Sequence, residues 1–295
     1  MFASKDTLFT RPSGYTISRS VRLRSSASAY FNRTPASATN QKTWTWSAWV
    51  KRGAITAASS NFFFFAGSAS ASSDTTYFGL YFNTSDAFAV TAYSQVWRLT
   101  TQVFRDPAAW YHIVVAWDTT QSTASNRVKV YLNGSQITSF SSSNDPTLNT
   151  DYSVNSAVGH SISGRNPFSA TTYFDGYLAE VNFIDGQALT PSSFGVIAPA
   201  TGVWSPKRYS GTYGTNGFYL PFNNGTSTTT LGYDSSGNGN NWTTNNISLT
   251  AGSTYDWMLD SPTAYAGSSY GVGNYCTLNP IDHIANTYVT VSDGN

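Results

Sequence analysis

Glutamate and cysteine are nearly absent from this chain of 295 residues, which has one of each, Glu180 and Cys276. A single cysteine cannot form an intrachain disulfide framework, and it excludes a zinc site built from several cysteines. The fold must therefore be stabilised by packing rather than by covalent or metal crosslinks.

Charged residues are also few. Charged residues make up 11% of the chain, against about 25% in an average soluble domain. With one glutamate and five lysines, the side chains that favour exposed helices are missing. Aromatic residues reach 16%, and together with Ser, Thr, Asn and Gly they favour strands and turns. The composition predicts an all-β protein.

Long apolar runs are also missing. The first residues, Met-Phe-Ala-Ser-Lys-Asp, lack the apolar region of a signal peptide. No apolar run approaches the roughly 18 residues of a membrane-spanning helix. We therefore expect no signal peptide, no membrane insertion, and synthesis in the cytoplasm.

The net charge of +1 conceals a positive amino terminus. Residues 1–33 hold six lysines and arginines and one aspartate, a local charge of +5. Two interpretations stay open: a basic arm that docks on a partner, or a strand that carries Arg22 and Arg24 on its outward face. Charge elsewhere is dilute and balanced, so no nucleic-acid partner is expected.

Short apolar segments follow each other along the first 200 residues, with turn signals between them. Residues 44–50 and 110–117 each predict a strand, and residues 77–82 and 88–93 predict a hairpin. Many short strands in this arrangement favour a β-sandwich over a parallel α/β fold.

Two short signals refine this picture. Asn133 and Gly134 tolerate the positive φ of a type I′ turn, which would fix the register of one hairpin. Thr190 followed by Pro191 resembles an N-cap with proline at the first helical position. That would be the only helix, about one turn long.

Three segments, in this order, resemble the LamG and pentraxin branch of the concanavalin A-like lectin and glucanase superfamily. They are Trp46-Ser47-Ala48-Trp49-Val50-Lys51, residues 110–118 with 130–134, and residues 174–181 with 188–191. The resemblance implies an antiparallel jelly-roll β-sandwich over residues 15–200, preceded by an amino-terminal arm of residues 1–14. Ala179 stands where many relatives carry an acidic residue, which argues against carrying over their calcium ligands.

The remaining residues, 201–295, form a β-rich carboxy-terminal extension. Residues 217–224 and 234–242 look like the opening strand and loop of another LamG-like unit. About 79 residues remain from Gly217, too few for a full sandwich of this type. The extension is therefore either packed on the first domain or part of an incomplete second module.

These segments, paired with residues 259–263 and 274–280, are similar to virion proteins of tailed phages, especially marine ones. The resemblance implies a non-enzymatic structural protein on the virion surface, in a tail fibre, an appendage or a capsid decoration. Its partners would be other virion proteins. Homo-oligomers are expected because virions present repeated symmetric sites.

Catalytic signals are weak. Glucanases of the superfamily use two carboxylates, usually in a Glu-x-Asp-x-x-Glu strand, and a chain with one glutamate cannot form that motif. Residues 267–271 match Gly-x-Ser-x-Gly, but the strand and helix of a nucleophile elbow are missing around them. His112 is predicted to be a hydrogen-bonded core residue, and His160 an exposed loop residue. We expect no enzymatic activity.

Two binding sites are conceivable. Asp234, Asn238 and Asn240 could offer oxygen ligands to Ca²⁺, although the order of an EF-hand is absent. The alternative for this loop is a plain Asx turn, and no other cofactor is expected.

Four aromatic residues near polar loops could stack on sugars: Trp97, Trp204, Tyr213 and Trp242. Anchoring of loops, or a subunit interface, would explain the same residues. As an alternative to a purely structural role, the chain is thus predicted to be a carbohydrate-binding module that recognises a host surface glycan.

Overall fold

A computed structural model of the protein describes residues 14–55, 59–199 and 201–263. Two eight-stranded antiparallel sheets face each other, which confirms the all-β jelly-roll sandwich. In the first sheet the strands are β1 (Ser20–Leu23), β3 (Thr43–Arg52), β8 (Trp110–Asp118), β9 (Val128–Leu132), β10 (Ser135–Gln136), β13 (Gly176–Asp185), β16 (Phe218–Leu220) and β18 (Trp257–Met258). Their order is β10-β9-β8-β3-β13-β1-β18, and β16 also pairs with β13.

The second sheet has the order β11-β7-β6-β5-β4-β12-β2-β17. Its strands are β2 (Tyr30–Arg33), β4 (Asn61–Gly67), β5 (Tyr77–Phe82), β6 (Ala87–Thr91), β7 (Val96–Val103), β11 (Phe140–Ser143), β12 (His160–Ile162) and β17 (Thr243–Asn245). A separate two-stranded ribbon pairs β14 (Gly195–Ile197) with β15 (Trp204–Pro206).

The core between the sheets is strongly aromatic. Alternation along β3 turns Trp44 and Trp46 inward, and both are fully buried. The Trp44 ring stacks on Trp117 of β8 with centroids 5.5 Å apart, and Phe78 of β5 packs edge-on against both. Such pairs stabilise a fold by about 0.5–1.5 kcal/mol beyond the effect of burial. They replace the crosslinks that the sequence lacks.

A bulge in β4 determines which phenylalanines leave the core. The register between β4 and β5 shifts between Phe62 and Phe64. Phe63 and Phe64 consequently both pack into the main core, whereas Phe62 and Phe65 belong to a separate cluster on the outer face of the second sheet. An unbroken alternation would have divided this run differently.

The described part of the carboxy-terminal extension completes both sheets. β16 pairs with β13, β17 with β2, and β18 with β1. Its apolar side chains Phe218, Leu220 and Trp242 join the main core. Of the two alternatives, the structure therefore supports packing on the first domain.

Arg22 of β1 and Arg24, the residue after it, are paired rather than free. Asp256, which is fully buried, accepts hydrogen bonds from Arg22 Nε at 3.3 Å and from Arg24 Nε at 2.7 Å. The extension thus neutralises much of the positive strand face. Residues 1–13 of the predicted arm, the Gly-x-Ser-x-Gly segment and residues 274–280 lie outside the described residues.

Turns and helices agree in part with the sequence. Asn133 and Gly134 have φ of +47° and +86°, as a type I′ turn requires. Residues Pro191–Ser193 form a 3-10 turn with proline at its start, but Thr190 makes no side-chain cap. The four-residue helix α1 (Thr228–Leu231) was not predicted from the sequence. It begins with a capping box formed by Ser227 and Thr230. No helix of the described residues is long and apolar enough to cross a membrane.

Candidate functional site

Two of the four predicted sugar-stacking residues lie in the core, so their prediction as binding residues is wrong. Trp97 is 5% exposed and packs edge-on against Trp117 and Tyr152. Trp242 is 3% exposed and packs edge-on against Phe218 at 4.8 Å. Both tryptophans instead contact aromatic residues of the opposite sheet, Trp117 and Phe218. Neither ring has a face available to a ligand.

The other two, Trp204 and Tyr213, anchor a segment that crosses the outer face of the first sheet. In this crossing segment, residues 186–199 and 201–215, Phe194, Tyr209 and Tyr213 share an apolar cluster with Val114, and Trp204 shares one with Trp49. Tyr213 also donates a hydrogen bond to Asn182 Oδ1 at 3.0 Å. Both rings are half-buried, so the structure supports the anchoring alternative for them.

A hydrogen bond between Trp204 and the buried His112 holds the crossing segment on the first sheet. Trp204 Nε1 donates to His112 Nδ1 at 3.0 Å, and indole nitrogen is only a donor, so the proton of His112 lies on Nε2. That nitrogen lies 3.0 Å from Ser47 Oγ, to which it donates. Complete burial lowers the pKa of His112 to about 3. The prediction of a hydrogen-bonded core histidine is confirmed.

The prediction for His160 is wrong. It lies in β12 with 5% of its surface exposed, not in a solvated loop. Its ring accepts a hydrogen bond from Asn155 N and donates one to the carbonyl of Val158. Burial lowers the pKa of His160 to about 4, so the ring is neutral at pH 7.

Glu180, the one glutamate, sits in a β-bulge of β13 with φ of +52°. Its Oε1 accepts hydrogen bonds from Tyr15 at 3.0 Å and from Tyr219 at 2.7 Å. Burial raises the pKa of Glu180 to about 7. The hydrogen-bond partners of this carboxyl in the described residues are tyrosines, so the paired carboxylates of a glycosidase are not assembled around it.

The predicted calcium loop is held by its own hydrogen bonds. Asp234 accepts from the backbone N–H groups of Tyr219, Ser236 and Asn240 and from the Ser236 hydroxyl, each at 2.8 Å. The amides of Asn238 and Asn240 donate to the carbonyl of Gly217. The loop therefore contains the Asx turn of the alternative interpretation. Calcium binding by Asp234, Asn238 and Asn240 stays a prediction.

An aromatic surface that the sequence did not single out lies on the outer face of the second sheet. Its floor is Phe62 and Phe65, which the β4 bulge turns outward. Phe62 stacks on Tyr81 of β5 with centroids 4.5 Å apart. It also covers Gly79, where a Cβ would lie 2.4 Å from its ring. Glycine is thus required at this position for the two strands to carry the stacked pair.

The exposed part of this surface is Tyr93, in the turn between β6 and β7. Half of Tyr93 (50%) is exposed, and its ring packs edge-on against Tyr77 and Phe168 at 6.1 and 6.3 Å. Asp74 holds the turn, because its Oδ1 accepts hydrogen bonds from the backbone N–H groups of Ser94 and Gln95. A neighbouring loop therefore fixes the position of Tyr93.

Arg165, in the loop between β12 and β13, adds a positive charge. Its guanidinium lies over the rings of Phe62 and Phe168, 5.2 and 5.6 Å from their centroids. Burial raises the pKa of Tyr77, and the hydrogen bond and charge of Arg165 partly oppose this. We call the residues Tyr77, Tyr81, Tyr93, Arg165 and Phe168 the Tyr93 surface.

One sequence signal could have found this site. Tyr77 and Tyr81 occupy alternate positions of a predicted hairpin strand, so they share one face, and Tyr93 ends the partner strand. The short, fully apolar run of residues 62–65 predicts a strand packed inside the sandwich, which conceals the outward pair. Arg165 and Phe168 come from a distant loop that no local pattern connects to β5.

A concavity lies at the edge of the sandwich, beside β10. It is a shallow cavity of about 240 Å³ whose walls are uncharged. The walls consist of Thr101, Gln102, Leu132, Ser135, Gln136, Ile137, Thr138 and Ser139. It offers amides and hydroxyls but no aromatic ring, so it lacks the stacking platform of the Tyr93 surface.

Comparison with known families gives one match, which covers more than half of the chain. The laminin G-like model described as "Concanavalin A-like lectin/glucanases superfamily" matches residues 6–193. No curated protein matches the chain.

Solved structures show similar folds. A putative carbohydrate-binding protein of Bacteroides ovatus is 18% identical over 78% of this chain and 59% of its own, with a TM-score of 0.50. The chain thus spans less than two thirds of that protein. A heptameric SAP-like pentraxin of Limulus polyphemus (13% identity; 60% of this chain, 80% of its own) has a TM-score of 0.43. Trypanosoma rangeli sialidase is 16% identical over 52% of this chain and 22% of its own, with a TM-score of 0.38. At such identities the likeness concerns the fold alone.

Proposed function

Because the chain belongs to the concanavalin A-like lectin/glucanase superfamily, we propose that it is a non-enzymatic carbohydrate-binding protein that recognises a cell-surface glycan through the Tyr93 surface. The observation that carries the proposal is the half-exposed, rigidly held ring of Tyr93 beside Phe168 and Arg165. The solved structure of a putative carbohydrate-binding protein with the same fold supports it.

The chemistry of the surface suits a sugar. A pyranose ring has an apolar face of C–H groups and a rim of hydroxyls, so it needs a flat aromatic platform bordered by a few polar groups. The half-exposed ring of Tyr93 supplies the platform, and Phe168 packs edge-on against it. The hydroxyl of Tyr81 and the guanidinium of Arg165 supply polar contacts at its border. Binding of this kind requires no acid–base pair, in agreement with the expectation that the protein is not an enzyme.

Replacing Tyr93 with alanine tests the proposal. We expect Tyr93→Ala to weaken glycan binding at least tenfold, because the stacking platform is lost; this corresponds to about 1.4 kcal/mol. The matched control is Tyr233→Ala, since Tyr233 is similarly exposed, at 47%, but lies in the carboxy-terminal extension. Binding is measured on a glycan array and then by calorimetry on the best ligand.

The melting temperatures of both variants should stay close to that of the parent protein, because both rings are half-exposed. Equal binding by Tyr93→Ala and the parent protein would contradict the assignment of the site. In that case Gln102→Ala and Gln136→Ala would test the uncharged cavity at the sandwich edge. A parent protein that binds no glycan would contradict the function itself.

We further propose that the chain displays this surface on a phage particle, as a homo-oligomeric component of a tail fibre, appendage or capsid decoration. The support is the resemblance of residues 217–224, 234–242, 259–263 and 274–280 to virion proteins of tailed phages. A mass-spectrometric inventory of purified particles should contain the protein, and electron microscopy with a specific antibody should locate it on the virion surface. Its absence from intact particles would refute this part of the proposal.

A further inference from the structure

The three buried arginines of the described residues, and the half-buried Arg24, each pair with an aspartate. Asp256 pairs with Arg22 and Arg24, Asp86 with Arg52, and Asp145 with Arg98. A chain with few acids thus places one beside each of these guanidinium groups. Burying a cation without such a partner is costly.

Arg165 is half-buried, and the hydrogen-bond and ring contacts of its guanidinium in the described structure are with neutral groups. Its Nε donates to Thr172 Oγ1 at 3.0 Å. Its two Nη atoms lie 3.4 Å from the hydroxyls of Tyr77 and Thr171, near the limit for a hydrogen bond. No salt bridge to Arg165 is found in residues 14–55, 59–199 and 201–263.

Three other half-buried arginines of the described residues also lack a salt bridge, but their surroundings differ. Arg19 lies over the ring of Trp257, 4.0 Å from its centroid, away from the Tyr93 surface. Arg127 also lacks a carboxylate, but the backbone carbonyls of Gln121, Ser122 and Pro146 occupy its donors. Arg33 binds Asn240, and the charge of Asp234 acts on it. At Arg165, by contrast, two donors are held only by hydroxyl groups, which can rotate to bind a ligand instead.

The position of Arg165 makes its charge usable. The guanidinium lies over the rings of Phe62 and Phe168, and these contacts hold it without neutralising its charge. Phe168 is also the neighbour of the exposed Tyr93 ring. A ligand stacked on Tyr93 would therefore approach the guanidinium fork with its substituents. The carboxylate of Asp74, near Tyr93, already accepts hydrogen bonds from Ser94 and Gln95.

We propose that the Tyr93 surface selects acidic glycans, and that Arg165 binds the carboxylate or sulfate group of the sugar. A planar guanidinium can bind a carboxylate through two parallel N–H···O bonds, which a neutral hydroxyl cannot match. This inference rests on the proposed function and names its class of ligand. A stacked sugar ring and a charged substituent would then be recognised by adjacent groups.

The first experiment compares ligands. On an array of neutral, carboxylated and sulfated glycans, the parent protein should bind the acidic members at least tenfold more tightly than their neutral counterparts. Polygalacturonate and its methyl ester then test the carboxylate directly, because esterification removes the charge and keeps the backbone. The sulfated members show whether sulfate replaces carboxylate. Added NaCl should weaken acidic binding.

The second experiment compares variants. Arg165→Gln should lose the preference for acidic glycans while it still binds the neutral forms through Tyr93. Arg165→Lys, which keeps the charge but not the fork, should retain part of the preference. The control is Lys207→Gln, because Lys207 is an exposed cation of the crossing segment, on the opposite face of the sandwich. It should behave as the parent protein does.

The outcomes are distinguishable. Equal binding of acidic and neutral glycans by the parent protein, or an undiminished acidic preference in Arg165→Gln, overturns this inference but leaves the carbohydrate-binding function intact. Absence of binding to any glycan overturns both. If Arg165→Gln fails to fold, the comparison of polygalacturonate with its methyl ester still decides the question, because it uses the parent protein alone.

Discussion

At the scale of single residues, burial separates anchors from ligand-binding groups. Trp97 and Tyr93 stand four positions apart, near the start of β7 and in the turn before it, but Trp97 is 5% exposed and Tyr93 50%. The tryptophan ring is the larger of the two, and its burial in the core stabilises the fold. A Tyr→Ala change at position 93 removes a ligand contact, whereas Trp97→Ala would leave a cavity that costs about 3–5 kcal/mol.

Glu180 should make the stability of the protein depend on pH. Its pKa is about 7 in the folded protein and 4.5 ordinarily. Below pH 4.5 the carboxyl is protonated in both states, and its contribution to stability is fully present. As the pH rises toward 7, the unfolded chain releases this proton and the folded chain keeps it. The free energy of unfolding therefore falls, by about 3 kcal/mol in total.

The variant Glu180→Gln isolates this effect, because glutamine cannot ionise yet still accepts the tyrosine hydrogen bonds. His112 and His160, whose lowered pKa values act in the opposite direction as the pH falls below 6.5, are present in both proteins and cancel. Urea unfolding from pH 4 to pH 8 should show the stability of the parent protein, relative to the variant, falling across pH 4.5–7. A constant difference would contradict the assignment.

At the scale of elements, β13 links the two parts of the chain. One edge of β13 pairs with β3, while the other edge pairs first with β1, at Gly176–Leu178, and then with β16, at Val181–Phe183. The Glu180 bulge lies between these two partners, and the Glu180 carboxyl binds Tyr219 of β16. The positive φ at Glu180 is thus part of the junction where the carboxy-terminal extension joins the first sheet.

Removal of residues 201–295 should therefore prevent folding. The extension buries Phe218, Leu220, Phe222, Leu231 and Trp242 in the main core. Each such side chain contributes about 1.5–3 kcal/mol on burial, which together approaches the total stability of about 5–15 kcal/mol of a typical domain.

The experiment compares this truncated chain with one from which fewer residues are removed. A chain that ends at Ala200 should be insoluble or should unfold without a cooperative transition. The control, which ends at Thr263, retains all five side chains and should melt cooperatively. A soluble, cooperatively melting chain of residues 1–200 would contradict the view that the extension is part of one sandwich. Circular dichroism during heating measures both.

At the scale of the whole molecule, the protein is a neutral, aromatic sandwich with its scarce charges paired inside. Ion pairs join the extension to β1 and β3, through Asp256 and through Lys51 with Asp260. Charged residues make up only 11% of the chain, so the cation of Arg165 beside an exposed aromatic ring is a distinctive feature of the second sheet's outer face. Such a rigid, weakly charged scaffold suits the display of one binding surface on a particle, as proposed above.

Much of the fold could be predicted because the signals are local. Alternating apolar residues, the Asn133-Gly134 turn and three family-like segments specify antiparallel strands and their approximate order. The scarcity of glutamate likewise excluded the paired glutamates of the superfamily's glucanases from the composition alone. The outward Phe62 and Phe65 could not be foreseen, because a bulge of one residue reverses the faces that alternation assigns.

The sequence by itself determined the class of the fold, because strand propensity, alternation and turn chemistry act over a few residues. Only the tertiary structure decided which aromatic rings are exposed and whether the extension belongs to the sandwich. Those outcomes depend on contacts between distant residues, such as Arg165 with Tyr77, 88 positions apart, and Glu180 with Tyr15, 165 apart. The Tyr93 surface exists because β5, the bulged β4, the turn between β6 and β7 and the loop between β12 and β13 meet there, and no local pattern encodes that meeting.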